Sequence, residues 1–475
     1  MSPETTPSCI TATSSAAEPV YVGVDIPANA DPTRALTELV EAADTPLVPD
    51  WDAWAEILAF GAPLAGRTPY CGIRRLQPGE SAVHDGTRWN VRRGDWSWAQ
   101  IEPEQGLRPE SLTGEILDHI GAQLGTADGP INPMLSGGRD SRLLTAMALR
   151  GRAEGGHGRE DVTTWTTSSD IGTSMEELVA AKVASTLGVQ HNLVAPRNAD
   201  FADDVAQYAR TVEYMASFHI WLMPLARRLA AAPGPIIDGL GGGVFLGGGF
   251  PDDPAIVGLA VDPAHIVESR FTRLARYLDA ADEILAPGVG EGLRERAWAD
   301  FEPVASNYAD HPNGATLTAY LTRTLPGISL APAKVLGSAG DVLRPIVSEP
   351  VVTTALRVEH SAKADGRWYP DLLASADARL TGMATAADLS KRRQHVRRGA
   401  SYEAASWYRD LIVGGPAASI LSEEMHRADI AHWQSQLAKT KPQHLLRGLA
   451  MLTLWLDDLG GHLGSTQLPF GEERR

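Results

Sequence analysis

Between residues 133 and 142 the chain reads Pro-Met-Leu-Ser-Gly-Gly-Arg-Asp-Ser-Arg, and few local folds accommodate that run. The apolar stretch Ile131–Leu135 leads into it, and helical spacing follows over Asp140–Arg150. A strand must therefore turn tightly into a helix. The first N–H groups of a helix lack intrahelical partners and carry partial positive charge, so such a turn attracts anions. Gly137 and Gly138 let phosphate oxygens approach the backbone without meeting a Cβ. Ser136 and Ser141 add hydroxyl donors. Arg139 and Arg142 flank the run, either as pyrophosphate contacts or as a solvent-facing first turn. Asp140 would repel phosphate unless a cation lay between, which assigns it to Mg²⁺. The spacing differs from Gly-x-x-x-x-Gly-Lys-Ser/Thr, so the common nucleotide-hydrolase loop is excluded.

The flanking sequence alternates between two periods. Val162–Thr166, His191–Val194 and Pro235–Ile237 read as strands; Glu176–Leu187 and Ile220–Ala231 read as helices. Strands alternating with helices predict an α/β fold with a parallel sheet covered on both faces. Residues 255–475 read as mostly helical. Residues 110–125 form an amphipathic helix ahead of the loop. Residues 21–105 read as a small β-rich domain, with a helix over Trp51–Phe60 and short runs at Thr68–Ile73 and Ser81–Val91. Residues 1–20, rich in Ser, Thr, Pro and Ala, read as a flexible leader. The main unit then spans 106–475.

A net charge of -17 argues against nucleic acid as a main partner, because phosphate backbones demand concentrated Lys and Arg. The two cysteines, Cys9 and Cys71, have no ligand-spaced partners. Cys71 reads as a small buried apolar residue, and the six tryptophans between 51 and 165 read as core. No signal peptide and no membrane span is legible, so a cytoplasmic location is expected. Oligomeric state is not legible.

The run Ser136-Gly-Gly-Arg-Asp-Ser141 resembles the loop of enzymes that split ATP into AMP and pyrophosphate. With it come Ser168-Ser-Asp170, Glu177 and Leu187-Gly-Val-Gln-His191. Then follow the glycine-rich Asp238-Gly-Leu-Gly-Gly-Gly-Val-Phe245, Arg344-Pro345 and a closing helix over Leu446–Leu459. In this order they resemble the asparagine synthetase superfamily, which includes β-lactam synthetase and lasso-peptide macrolactam cyclases. The resemblance implies an ATP-pyrophosphatase fold and ATP and Mg²⁺ as cofactors. It implies an adenine pocket lined by the strand ending at Thr166, and phosphate or nucleotide contacts at Gly239 and Gly241. Thr68–Ile73 and Leu76–Gly79 resemble the last portion of the family's glutaminase domain. The second residue is Ser where that domain normally presents Cys, so no glutamine hydrolysis is expected.

Two departures matter. The family pattern carries an Asp-Glu pair just before Phe245, where this chain has Gly243-Val244. The missing Asp is normally a Mg²⁺ ligand. Asp238 could supply a carboxylate in its place, or serve as an ordinary turn residue. The catalytic pair implied by the resemblance falls on Lys391, as a fixed positive charge, with Asp341 as its partner. Arg344 could bind a carboxylate or form a structural ion pair. The expected activity is AMP-forming amide ligation on a small molecule or peptide bearing a carboxylate and an amine, as in lactam or macrolactam biosynthesis. Free ammonia as nucleophile is one alternative; a degenerate nucleotide- or partner-binding homologue is another.

Overall fold

Five parallel strands carry the site in the computed structural model, which describes residues 9–24, 30–156, 158–168, 175–255, 261–389 and 398–470. The first strands belong to the N-terminal part: β1 (Cys9–Thr11), β2 (Tyr21–Gly23), β3 (Ile73–Arg75), β4 (Glu80–His84) and β5 (Trp89–Arg93). They form an antiparallel β1-β4-β5 sheet and a separate β2-β3 pair. The expected single run at Ser81–Val91 is a hairpin, because Asp85 closes a tight turn by accepting from the Thr87 and Arg88 N–H groups. The expected strand at Thr68–Ile73 is displaced to Ile73–Arg75, leaving Tyr70 in an isolated bridge with Pro49. The Thr68 hydroxyl there donates to the Tyr70 and Ile73 carbonyls and holds a turn.

Helix α1 (Trp51–Phe60) matches its apolar spacing. Asp50 caps it by accepting from Asp52 and Ala53 N–H, and Gly61 ends it in the left-handed region. After α2 (Thr113–Leu124) the parallel strands begin: β6 (Asn132–Pro133), β7 (Thr163–Thr167), β8 (Gln190–Val194), β9 (Ile236–Ile237) and β10 (Val342–Leu343). Pairing gives β10-β9-β6 and β7-β8. Parallel bridges Ile131–Val162 and Met134–Trp165 join the two groups. The spatial order is thus β8-β7-β6-β9-β10. Successive strands run outward from β6 in one direction, then in the other. A sheet wound both ways opens a crevice at the carboxyl ends of the strands where the order reverses, here between β6 and β9.

Helices α3 (Arg139–Glu154), α4 (Met175–Leu187) and α5 (Met223–Leu229) connect these strands. Ile220–Leu222, expected as part of one helix with the residues that follow, winds as a 3-10 turn ahead of α5. Beyond β9 lie the short α6 (Gly242–Phe245), α7 (Val289–Ser306), α8 (Tyr369–Ala376), α9 (Ala386–Leu389) and the closing α10 (Thr440–Leu459).

Burial does not divide at residue 105. One core joins Tyr21, Trp54, Ile57 and Tyr70 to Phe301, Trp433 and Trp455. A second joins Trp96 and Trp98 to Leu143, Val183, Phe245 and Tyr320. Residues 9–20 also depart from the expected flexible leader. Ala16 and Ala17 are buried, and the Ser14, Ser15 and Ala16 carbonyls accept from Trp96, Tyr320 and Arg75. The small side chains that look featureless in sequence are what let this segment pack. Cys71 is exposed rather than buried, its thiol facing the Pro49 carbonyl. No helix among the described residues is long and apolar enough to cross a membrane.

Candidate active site

The Ser136–Ser141 loop leaves β6 at the crevice. Helix α3 starts with Gly138 at its N-cap and no side chain capping it, so its first amides remain open to a ligand. Ser136 and Ser141 organise the turn. The Ser136 N–H donates to Ser141 Oγ (3.0 Å), and the Gly138 N–H to Ser136 Oγ (3.1 Å). The Gly137 N–H donates to a carboxylate oxygen of Glu176, from the first turn of α4, at 2.7 Å. An anion thus already sits on a loop amide, as the helix N-terminus requires.

Asp140 points across the crevice into the second glycine-rich segment. Tyr369, on α8, donates its phenol to Asp140 Oδ1, and the Gly243 N–H also favours the charged carboxylate. Glycine at 242 is required for this contact: a Cβ there would lie 2.3 Å from Asp140 Cγ. Gly239 lies against the same side chain, with a Cβ position 3.2 Å from Asp140 Cβ. Gly241 adopts φ +87° and opens α6.

Asp238 ends β9. Its Oδ1 accepts from the Leu240 N–H at 2.8 Å, and its own N–H donates to the Leu343 carbonyl. Burial pushes the Asp140 and Asp238 carboxyls each up to about 6, and the negative charge of Asp140 adds to the rise at Asp238. Two desolvated carboxylates therefore converge at the switch point from two different loops. Among the described residues no group of three or more His, Cys, Asp or Glu could hold a metal ion. The pair fits Mg²⁺, which is commonly held by one or two carboxylates together with substrate phosphates.

Arg139 reaches the Asp365 carbonyl at 3.2 Å and lies 6.0 Å from the Tyr369 ring centroid. Arg142 is fully buried. Its guanidinium donates to the carbonyls of Gly137, Met383 and Ala384 at 2.8 to 2.9 Å. Neither the pyrophosphate contact nor the solvent-facing turn considered for Arg142 describes this placement, because these carbonyls already occupy both terminal nitrogens. It ties the loop to the segment leading into α9, where the Ala386 N–H donates to the Gly137 carbonyl. Thr166 is buried, its hydroxyl donating to the Leu135 carbonyl, so that β7 meets the loop strand through a side chain.

Asp341 is exposed at the start of β10, where its carbonyl accepts from the Ile236 N–H. That is the amino end of the sheet, away from the crevice. The structure therefore does not bring Asp341 to the loops: a position counted back from Pro345 crosses β10 to the opposite end of the sheet. Arg344, at the carboxyl end of β10, pairs with Glu18 from the N-terminal segment. Lys391 lies outside the described residues. The sequence reading missed Tyr369, Glu176 and the 383–386 segment. Only Glu176 carried a signal, as an acid in the first turn of a helix.

A cavity of about 950 Å³ lies elsewhere, lined by Arg67, Tyr70, Arg74, Trp96, Asp300 and Tyr308 among others, and by none of the loop residues. A comparison with curated proteins gave no match. Residues 113–299 match the family model described as asparagine synthase. The match spans both loops and both aspartates, and it supports placing this region in the asparagine synthetase superfamily.

Proposed function

We propose that this chain is an ATP-dependent, AMP-forming amide ligase. The observation that carries the reading is the convergence of Asp140 and Asp238 beside the Ser136–Ser141 loop, at the switch point of the sheet. In the proposed reaction a substrate carboxylate oxygen attacks the α-phosphorus of ATP. The bond to the bridging oxygen breaks, and pyrophosphate leaves into the loop. An amine then attacks the acyl carbon; AMP departs with the bonding electrons, and the nitrogen gives up its proton.

The protein's part is positional and electrostatic. The open amides of α3 and the Ser136 and Ser141 hydroxyls hold the leaving pyrophosphate. Asp140 and Asp238 would hold Mg²⁺, which supplies charge neutralisation between phosphate oxygens when bound. Tyr369 and Gly243 fix the Asp140 carboxylate. Arg142 keeps the loop in shape by satisfying three carbonyls. Thr166 is proposed to line the adenine pocket, with Gly239 and Gly241 beside the phosphates. Lys391 is proposed as the cation at the reacting carbonyl. The amine is proposed to be carried by a small-molecule or peptide substrate, giving a lactam, a macrolactam or an intermolecular amide without glutamine hydrolysis.

The test is ATP–pyrophosphate exchange over a panel of candidate carboxylates. Exchange that depends on one carboxylate and disappears in Asp140→Ala is expected. Asp238→Asn is expected to raise the Mg²⁺ needed for half-maximal exchange by about tenfold, since it removes one of two anionic ligands. ATP binding without exchange across the panel would instead favour a degenerate nucleotide-binding protein. Gly243-Val244, standing where the family carries Asp-Glu, supports that second reading.

A further inference from the structure

The amide of Gly137 already has a partner, and that partner is an anion. Glu176 Oε2, from the first turn of α4, accepts from the Gly137 N–H at 2.7 Å, the length of a charge-assisted hydrogen bond. Glu176 is half-buried, and among the described residues it forms no ion pair. The Arg142 guanidinium feels its charge, yet donates its terminal nitrogens to the carbonyls of Gly137, Met383 and Ala384. A loop proposed to receive pyrophosphate thus carries an unpaired carboxylate on one of its N–H groups.

Two features separate this contact from a simple brace. First, the loop keeps its shape by other means. Arg142 and the Ala386 N–H both donate to the Gly137 carbonyl, at 2.9 and 3.2 Å, and Ser136 and Ser141 organise the turn from within. The N–H side of Gly137 is held only by one flexible side chain within reach of water. Second, glycine at 137 is what lets α4 come so close. A Cβ there would lie 2.5 Å from Ala386 Cβ and 3.2 Å from Glu176 Cα. With the first turn of α4 packed on the loop, a change of rotamer is enough to take the carboxylate off the amide. A neutral acceptor would brace the loop equally well. A carboxylate adds repulsion toward any phosphate beside it.

We propose that Glu176 is a built-in competitor of the leaving pyrophosphate. Its carboxylate occupies the Gly137 N–H while the loop is empty and gives up that amide to a phosphate oxygen when the loop fills. It returns as pyrophosphate departs. Cleavage frees on pyrophosphate an oxygen that is bridging in ATP, and with it negative charge. Repulsion by Glu176 therefore weighs more on the product than on the nucleotide, and it speeds release. Glu176 acts through the amide and touches none of the reacting atoms. The inference rests on the ligase reading, since it takes the Ser136–Ser141 loop as the pyrophosphate site.

The test is binding of inorganic pyrophosphate to the full chain, measured by titration calorimetry in excess magnesium chloride, for the wild type, Glu176→Gln and Glu176→Ala. Glutamine keeps an acceptor for the Gly137 N–H and removes the charge. Its Kd for pyrophosphate is expected about tenfold below that of the wild type, with ATP tightened less. Glu176→Ala frees the amide as well and should bind pyrophosphate at least as tightly as Glu176→Gln. The gap between wild type and Glu176→Gln should narrow between about 0.05 and about 0.5 M sodium chloride, because salt screens the repulsion. A brace predicts a different order, with Gln equal to the wild type and Ala weaker. Pyrophosphate binding to Glu176→Gln that is equal to or weaker than wild type overturns the inference and leaves the ligase reading standing. Absence of pyrophosphate binding in all three proteins removes the loop as the pyrophosphate site, and both readings with it.

Discussion

The phenol of Tyr369 donates to Asp140 Oδ1 across 229 residues of sequence. This one bond links the helix that opens at the Ser136–Ser141 loop to a helix beyond the family match. It fixes the carboxylate that faces Asp238 and the second glycine-rich segment. Tyr369→Phe removes the donor without opening a large cavity. Pyrophosphate exchange should fall about tenfold, the equivalent of one charge-assisted hydrogen bond, with little change in the unfolding midpoint. Exchange equal to wild type would show that the bond is incidental.

Gly242 sets the approach of the two loops. Gly242→Ala places a Cβ 2.3 Å from Asp140 Cγ, so the carboxylate must rotate away. Gly243→Ala, whose Cβ lies 4.0 Å from Asp140 Oδ2, is the matched control. On the proposed role of Asp140, exchange should drop about a hundredfold in the first variant and several-fold at most in the second, because misplacing a reacting or ligating group by an ångström costs that much. Equal effects would mean that the close approach is not what glycine supplies at 242.

Arg142 should behave as a structural residue of the loop. Arg142→Met strips the donor from three carbonyls inside the protein. Denaturant unfolding should show a loss of about 3 kcal/mol. Arg142→Lys should recover little of it, since a single ammonium cannot span the three acceptors. A loss under about 0.5 kcal/mol would be the surface-residue outcome and would contradict the placement.

Lys363 makes stability depend on pH. Its ammonium is fully buried, donates to the Ala355 carbonyl at 2.5 Å, and is lowered by burial to about 7. Between pH 7 and the ordinary lysine range near 10, the unfolded chain binds a proton that the folded chain does not. Stability must therefore rise with pH across that window. Lys363→Met should flatten the rise. Relative to wild type it should gain on the order of 2 kcal/mol at pH 7, with the gain shrinking toward pH 9. The comparison is read from denaturation midpoints at pH 7, 8 and 9; parallel curves would contradict it.

Much of the α/β half was legible because its signals are local. The helix over Arg139–Glu154, the strands at Thr163–Thr167 and Gln190–Val194, and the turn at Ser136–Ser141 each follow from periodicity or from a loop's own glycines and serines. The role considered for Asp238 depended on one further fact, that β9 pairs beside β6, which short strands do not announce. The reading of residues 9–20 failed because composition measures the average polarity of a segment. Packing there is decided by two alanines and a few carbonyls that buried Trp96, Arg75 and Tyr320 seek out.

The sequence by itself determined a tight glycine- and serine-built turn between a strand and a helix, since that geometry is written within ten consecutive residues. Tertiary structure decided which groups share the space around it. Tyr369 reaches Asp140, Arg142 turns to carbonyls, and Asp341 lies at the amino end of the sheet. Each depends on contacts between segments far apart in the chain, where burial and unmet hydrogen bonds act only after the backbone has brought them together.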